Sequence, residues 1–159
     1  MAPTAFFENA EFYLEHGHKD AALDYFLATV GQDATNANAH NNIGALRAER
    51  GDMKGAERSF IEAVEAKPRH LKSLVNLAEL MLRTGRLDEG AKLYARAVKV
   101  EPKNPVLLHA HGIALANQGK LQAAKRSLIK ARELDSDAPV EQPLRMIEAN
   151  LLRRQNAPR

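Results

Sequence analysis

The residues able to do chemistry are six histidines, a set of recurring amides and carboxylates, and a row of basic side chains. His16 and His18 flank Gly17, and His109 and His111 stand two apart. Neither pair makes the i, i+4 arrangement with which a helix chelates a metal. There is no Cys, which removes disulfides, thiolate metal sites and Cys nucleophiles together. No Gly-rich phosphate loop, nucleophile elbow or supported pair of catalytic acids is present. The expectation is a chain with no enzymatic activity, no cofactor and no metal.

Recognition is the chemistry that remains. Asn42 and Asn76 lie 34 residues apart. An Asn amide both donates and accepts, so two of them at a repeated position could clamp the backbone of an extended peptide. Lys92, Arg96 and Lys99 form a basic stripe at i, i+4 and i+7, extended by Arg58, Arg126 and Lys130. An acidic protein, a nucleic acid or an anionic membrane could dock on it. The stripe lacks interleaved aromatics for base stacking and is interrupted by Glu62, Glu65 and Glu133, so nucleic acid is disfavoured and a solvated charged face is the blander reading.

The elements that must position these residues repeat. In residues 37–70 the marks are Gly44, Gly51, Ala56, Phe60, Ala63 and Pro68; in residues 71–104 they are Ala78, Gly85, Gly90, Tyr94, Ala97 and Pro102, each pair 34 residues apart. A fixed period in this range signals stacked supersecondary units, none of which can bury its apolar face alone. Residues 3–36 keep Gly17, Ala22 and Phe26 but place Asn9, Lys19 and Ala34 where apolar residues or proline would stand. Residues 105–138 keep Gly112, Gly119 and Ala124, with Leu128 for the aromatic and Ser136 for the proline.

Each unit reads as helix, turn, helix. Apolar residues at helical spacing (Phe6, Ala10, Tyr13, Leu14; then Ala22, Leu23, Phe26, Val30) flank Gly17. Gly51 is expected in the left-handed conformation just past a helix end, with Gly17, Gly85 and Gly119 alike, and Asp52 is expected to cap the next helix. Small residues should let the two helices of a unit approach, with Gly44 facing Ala56 and Ala63 and Phe60 filling the gap toward the next unit. Residues 139–154 give one further, capping helix with Leu144, Ile147, Leu151 and Leu152 apolar and Pro143 in its first turn. A frayed tail is expected over residues 155–159.

Net charge is +3 over 159 residues, but residues 3–36 carry Lys19 alone against Glu8, Glu11, Glu15, Asp20, Asp24 and Asp33. An acidic first unit and a basic remainder could orient a polar partner or let two copies meet head to tail. No positively charged leader with an apolar run opens the chain, and no stretch approaches the ~18 apolar residues of a membrane span. The expectation is a cytoplasmic, unsecreted protein with no membrane span, unless an export signal has been removed.

This pattern resembles the tetratricopeptide repeat. The resemblance rests on Ala10, Gly44, Ala78 and Gly112, on the four turn glycines, on Ala22, Ala56, Gly90 and Ala124, and on Phe26, Phe60, Tyr94 and Leu128. Four repeats and a capping helix cover essentially the whole chain, read as a single domain over residues 1–159. Asn9, Arg47 and His111 depart from it at positions that are usually apolar; Arg47 is expected to bury its stem and keep its head wet. The resemblance implies an all-α fold, a right-handed α-solenoid superhelix of antiparallel helix pairs with about nine helices. It also implies that first helices line a concave groove, that second helices form the convex back, and that the work is holding proteins or peptides together.

On each first helix the i, i+4, i+7, i+11 stripe would then face the groove. The first repeat offers Thr4, Glu8, Glu11 and Glu15; the second Asn38, Asn42, Ala45 and Glu49; the third Lys72, Asn76, Glu79 and Arg83; the fourth Val106, Ala110, Ile113 and Asn117. His109 should face the groove and His111 pack inward. The alternative for Asn42 and Asn76 is that Asn is simply common at this repeat position. Phe7 and Glu11 stand where the family's dicarboxylate clamp would need Lys and Asn, so binding of chaperone tails is disfavoured. Three readings follow: an adaptor holding an extended peptide in the groove, an assembly component that self-associates, and last an anion-binding basic back.

Overall fold

The computed structural model describes residues 3–156, with side chains from residue 5 onward. The expectation for the Thr4 side chain, and the last three residues of the expected tail, lie outside them. Among the described residues the fold is all-α, with nine helices: α1 (Pro3–Glu15), α2 (Lys19–Gln32), α3 (Ala37–Glu49), α4 (Met53–Ala66), α5 (Leu71–Arg83), α6 (Leu87–Val100), α7 (Pro105–Asn117), α8 (Leu121–Leu134) and α9 (Glu141–Gln155). None of them is long and apolar enough to cross a membrane.

Helix starts and stops follow local chemistry. Asn36 accepts from the Ala39 N–H at 2.9 Å to cap α3, and Asp52 accepts from the Gly55 N–H at 2.8 Å to cap α4. Asn104 accepts from the Val106 and Leu107 N–H groups at 3.0 and 3.2 Å, with Pro105 at the first position of α7, where its missing N–H costs nothing. The turns inside the pairs all use a left-handed glycine. Gly17, Gly51, Gly85 and Gly119 have φ of 78°, 82°, 79° and 73°, a region other residues enter only at a cost.

The chain divides into two compact units, Met1–Leu80 and Met81–Arg159, the division falling within α5. In the first unit α1 pairs with α2, and α3 with α4. Ala10, Ala22, Phe26, Ala39, Ile43 and Leu46 form its core, flanked by Phe7, Tyr13, Leu14 and Tyr25. Phe7 meets Phe26 edge-on at 5.6 Å, and Tyr13 stacks on Tyr25 at 5.3 Å, so the few aromatics of the sequence are concentrated here. The approach of α3 to α4 differs in detail from expectation. A Cβ on Gly44 would come within 2.5 Å of Phe60 Cε1, so the ring expected to fill the gap toward the next unit lies against Gly44 of its own pair.

In the second unit α7 pairs with α8, and α9 packs on α8. Leu108, Leu121, Ala124, Leu128, Ala131, Val140, Leu144 and Ile147 form the core. Leu128 takes the aromatic's place: a Cβ on Gly112 would meet its Cγ at 2.8 Å. The last helix begins two residues later and ends one residue later than the sequence suggested, because Val140 is a buried core residue preceding the helix and Gln155 is still helical. Pro143 is its third residue, inside the first turn.

Arg47 is the departure that the structure explains most fully. Its guanidinium is not left to water. It donates to Ser59 Oγ at 2.9 Å and to the Gly55 carbonyl at 3.4 Å, crossing from α3 to α4, where Ser59 is buried.

Candidate peptide-binding face

In the first unit five polar side chains come together between α3 and the start of α5. Asn41 is 5% exposed. Its Oδ1 accepts from Asn76 Nδ2 at 2.9 Å and from the Ser73 hydroxyl at 3.2 Å. His70 contacts Ser73 Oγ through Nδ1 at 2.6 Å and Asn38 Oδ1 through Nε2 at 2.9 Å. Burial, with Lys67 and Lys72 nearby, pushes the His70 pKa below its ordinary value, so the neutral ring is favoured. Buried polar groups are costly unless paired. Here the neutral ring can donate its Nε2–H to Asn38, and the single hydroxyl proton of Ser73 lies between two acceptors, His70 Nδ1 and Asn41 Oδ1.

Asn41, Ser73 and His70 were not among the residues singled out from the sequence. A signal for one of them was available: His70 stands 34 residues after Asn36 and 34 before Asn104, both helix caps. Of the two expected clamp residues, Asn76 is half-buried with its amide held by Asn41. Asn42 is half-buried too, and its amide makes no hydrogen bond with another described residue.

Glu8, Glu11 and Glu15 are exposed on α1, and Lys72 and Glu79 on α5. Glu49 is exposed as well, yet its carboxylate takes the Lys19 ammonium at 2.8 Å, and beside it Arg50 pairs with Asp20. An exposed pair of this kind contributes about 0–1 kcal/mol, so Glu49 can exchange partners at little cost.

The second unit carries a different surface. Val106 is 71% exposed on α7, while His109 is half-buried and Asn117 exposed. His111 is half-buried, and burial lowers its pKa. Ile113, Ala116 and Asn117 of α7 line a hollow of about 260 Å3 with Gln142, Pro143, Met146 and Asn150 of α9, above the buried Leu121 and Ile147. Met146, on the helix read only as a cap, is 60% exposed, and Leu152, expected among its packing residues, is 58% exposed. Arg83 is exposed at the end of α5.

On the second helices Arg58 is exposed in the first unit, and Lys92, Arg96, Lys99, Arg126 and Lys130 in the second. Among the described residues, no three His, Asp or Glu side chains come together in a way that could hold a metal ion.

Comparison with known proteins agrees with this architecture. The human protein O-mannosyl-transferase TMTC3 is 28% identical over 149 residues, an alignment covering 80% of this chain and 16% of that protein. The chain therefore spans a small part of that relative. Among solved structures, YrrB, titled a TPR protein with an unusual peptide-binding site, superposes with a TM-score of 0.84 at 19% identity, covering 94% of this chain and 77% of that one. The first TPR of Spaghetti (RPAP3), bound to the HSP90 peptide SRMEEVD, gives 0.68 at 20% identity, covering 73% of this chain and 93% of that one. These likenesses show the fold alone. The family described as the cilia and flagella-associated protein 70 C-terminal domain, a TPR family, matches residues 2–158. With its capped helix pairs, its four left-handed turn glycines and that match, the chain belongs to this tetratricopeptide-repeat family.

Proposed function

We propose that this chain is a non-enzymatic adaptor that binds an extended segment of a protein partner along the faces of its first helices. The observation that carries this reading is the Asn41–Asn76 hydrogen bond. It fixes the Asn76 amide by one N–H, leaving its carbonyl oxygen and second N–H for a ligand, while the Asn42 amide one residue from Asn41 is uncommitted among the described residues. A preorganised amide loses little conformational freedom on binding. By their titles, one solved neighbour has a peptide-binding site and another is bound to a peptide, which supports the same use of the fold here. In the first unit the acidic Glu8, Glu11 and Glu15 favour a basic or polar segment; in the second, Val106 and Ile113 favour an apolar one.

The test compares captured proteins for the wild-type chain and an Asn42→Ala, Asn76→Ala double variant, after both are shown to be equally helical and monodisperse. Each amide bond contributes about 0.5–1.5 kcal/mol, so a ligand held by both weakens by roughly five- to more than a hundredfold. Partners that bind both proteins equally would refute the amide clamp.

A second reading, self-association, has its own observation. Phe12 is 54% exposed on α1 beside exposed Glu8, Glu11 and Glu15, while α9 exposes Met146 and Leu152 beside Arg145, Arg153 and Arg154. Each end offers apolar surface, with opposite charge. Sedimentation at low and high salt tests this: an oligomer that dissociates with salt and is lost in Phe12→Ser supports it.

A further inference from the structure

We propose that the hollow between α7 and α9 is an anchor pocket for one aliphatic side chain of an uncharged stretch of peptide. This rests on the reading that the first-helix faces bind extended segments. It adds a site on α9, a helix with no counterpart among the four repeats.

Size and polarity identify the occupant. At about 260 Å3 the hollow is smaller than the ~300–1,000 Å3 of small-molecule sites, which suits one or two side chains. Ile113, Pro143 and Met146 give it apolar walls, and Met146 keeps an adaptable thioether largely in water, an arrangement that wastes apolar surface unless something covers it. None of the residues lining the hollow is charged. The acids of α9 are drawn away from it: Glu141 pairs with Arg132 at 3.1 Å and Glu148 with Lys125 at 2.7 Å, both on α8. Asn117, Gln142 and Asn150 stand exposed among the lining residues, and their amides can donate to and accept from the main chain on either side of an anchored residue. An acidic or basic anchor would lose its hydration here and find no opposite charge.

The test follows the methyl resonances of Met53, Met81 and Met146 while capped nonapeptides are added, alike in a Gly/Ser/Asn background and differing only in a central Leu, Ala or Asp. The Leu peptide should shift the Met146 methyl saturably, leave Met53 and Met81 in place, and bind at least about tenfold more tightly than the Asp peptide. Ile113→Asp should abolish the Met146 shift. The Leu peptide should also shift the amide of Ala116, which lines the hollow, and Met146→Asp, at an exposed position, should remove that shift with helicity unchanged. A Met146 methyl that does not move, or moves equally with the Asp peptide, overturns the proposal. So does one that moves with protein concentration alone, which would make a second copy the occupant. The Asn42→Ala, Asn76→Ala variant should bind the Leu peptide as the wild type does. Loss of captured partners in that variant with no Met146 response would leave the groove reading standing and this one refuted; the converse would refute the amide clamp alone.

Discussion

Asn76 donates its side-chain amide to Oδ1 of Asn41, 2.9 Å away and 35 residues earlier, so a residue of α5 is aligned by a buried residue of α3. The expected clamp residue is thus itself clamped. Asn41→Ala should leave the Asn76 amide without its acceptor, the Ser73 hydroxyl keeping His70 Nδ1, and destabilise the fold by about 1–3 kcal/mol. Asn42→Ala, one residue away, should change stability by no more than about 0.5 kcal/mol. Urea unfolding of the two variants decides this; equal midpoints would contradict the assignment.

Gly44 and Gly51 should fail differently when replaced by Ala. At Gly51 there is open space but φ is +82°, so the cost of about 1–2 kcal/mol is purely conformational. At Gly44 the new methyl would meet the Phe60 ring, costing about 1–3 kcal/mol of overpacking against a gain of about 1 kcal/mol in helix propensity. Phe60→Ala, which removes the ring the new methyl would strike, should reduce the cost of Gly44→Ala and leave that of Gly51→Ala unchanged. Thermal or urea unfolding of the single and double variants reads this out.

The Arg47–Ser59 bond predicts coupling. Ser59→Ala leaves a half-buried guanidinium short of an acceptor, and Arg47→Met leaves a buried hydroxyl unpaired; each should cost about 1–3 kcal/mol. The double variant replaces the pair by apolar atoms and should cost clearly less than the sum, a difference that a double-mutant cycle measures.

Acid should weaken the fold through His70 and His111. Both have folded pKa values below their ordinary 6.5, the first from burial and the nearby Lys67 and Lys72, the second from burial. The unfolded chain therefore takes up protons first as pH falls. Their contribution is complete above about pH 6.5 and is lost as pH drops through 6.5 toward the folded values. Unfolding free energy measured from pH 7.5 to 5 should fall, and the slope should be smaller in His111→Leu.

Much of the fold was legible because its signals are local. A left-handed position asks for Gly, which recurs every 34 residues, and a first-turn N–H asks for Asn or Asp, so Gly17, Gly51, Gly85 and Gly119 and the cap at Asp52 could be placed without coordinates. Where an outcome depended on a partner far along the chain, the reading was incomplete. Arg47 was expected to reach water, but Ser59 lies in reach only once α4 folds back on α3. The ring of Phe60 was assigned to the gap toward the next unit, and it lies against Gly44 of its own pair.

The candidate site divides in the same way. The amino-acid sequence by itself determined the repeat, its helices and turns, and the stripe of α3 and α5 on which Asn42 and Asn76 stand, since a 34-residue period and helical spacing need nothing beyond neighbours in the chain. Only the tertiary structure decided that Asn41 holds Asn76, that His70 and Ser73 complete their network, and that Met146 joins Ile113 around a hollow. The physical reason is reach. A hydrogen bond or a shared cavity is a property of two segments brought together by core packing, and neither segment carries it alone.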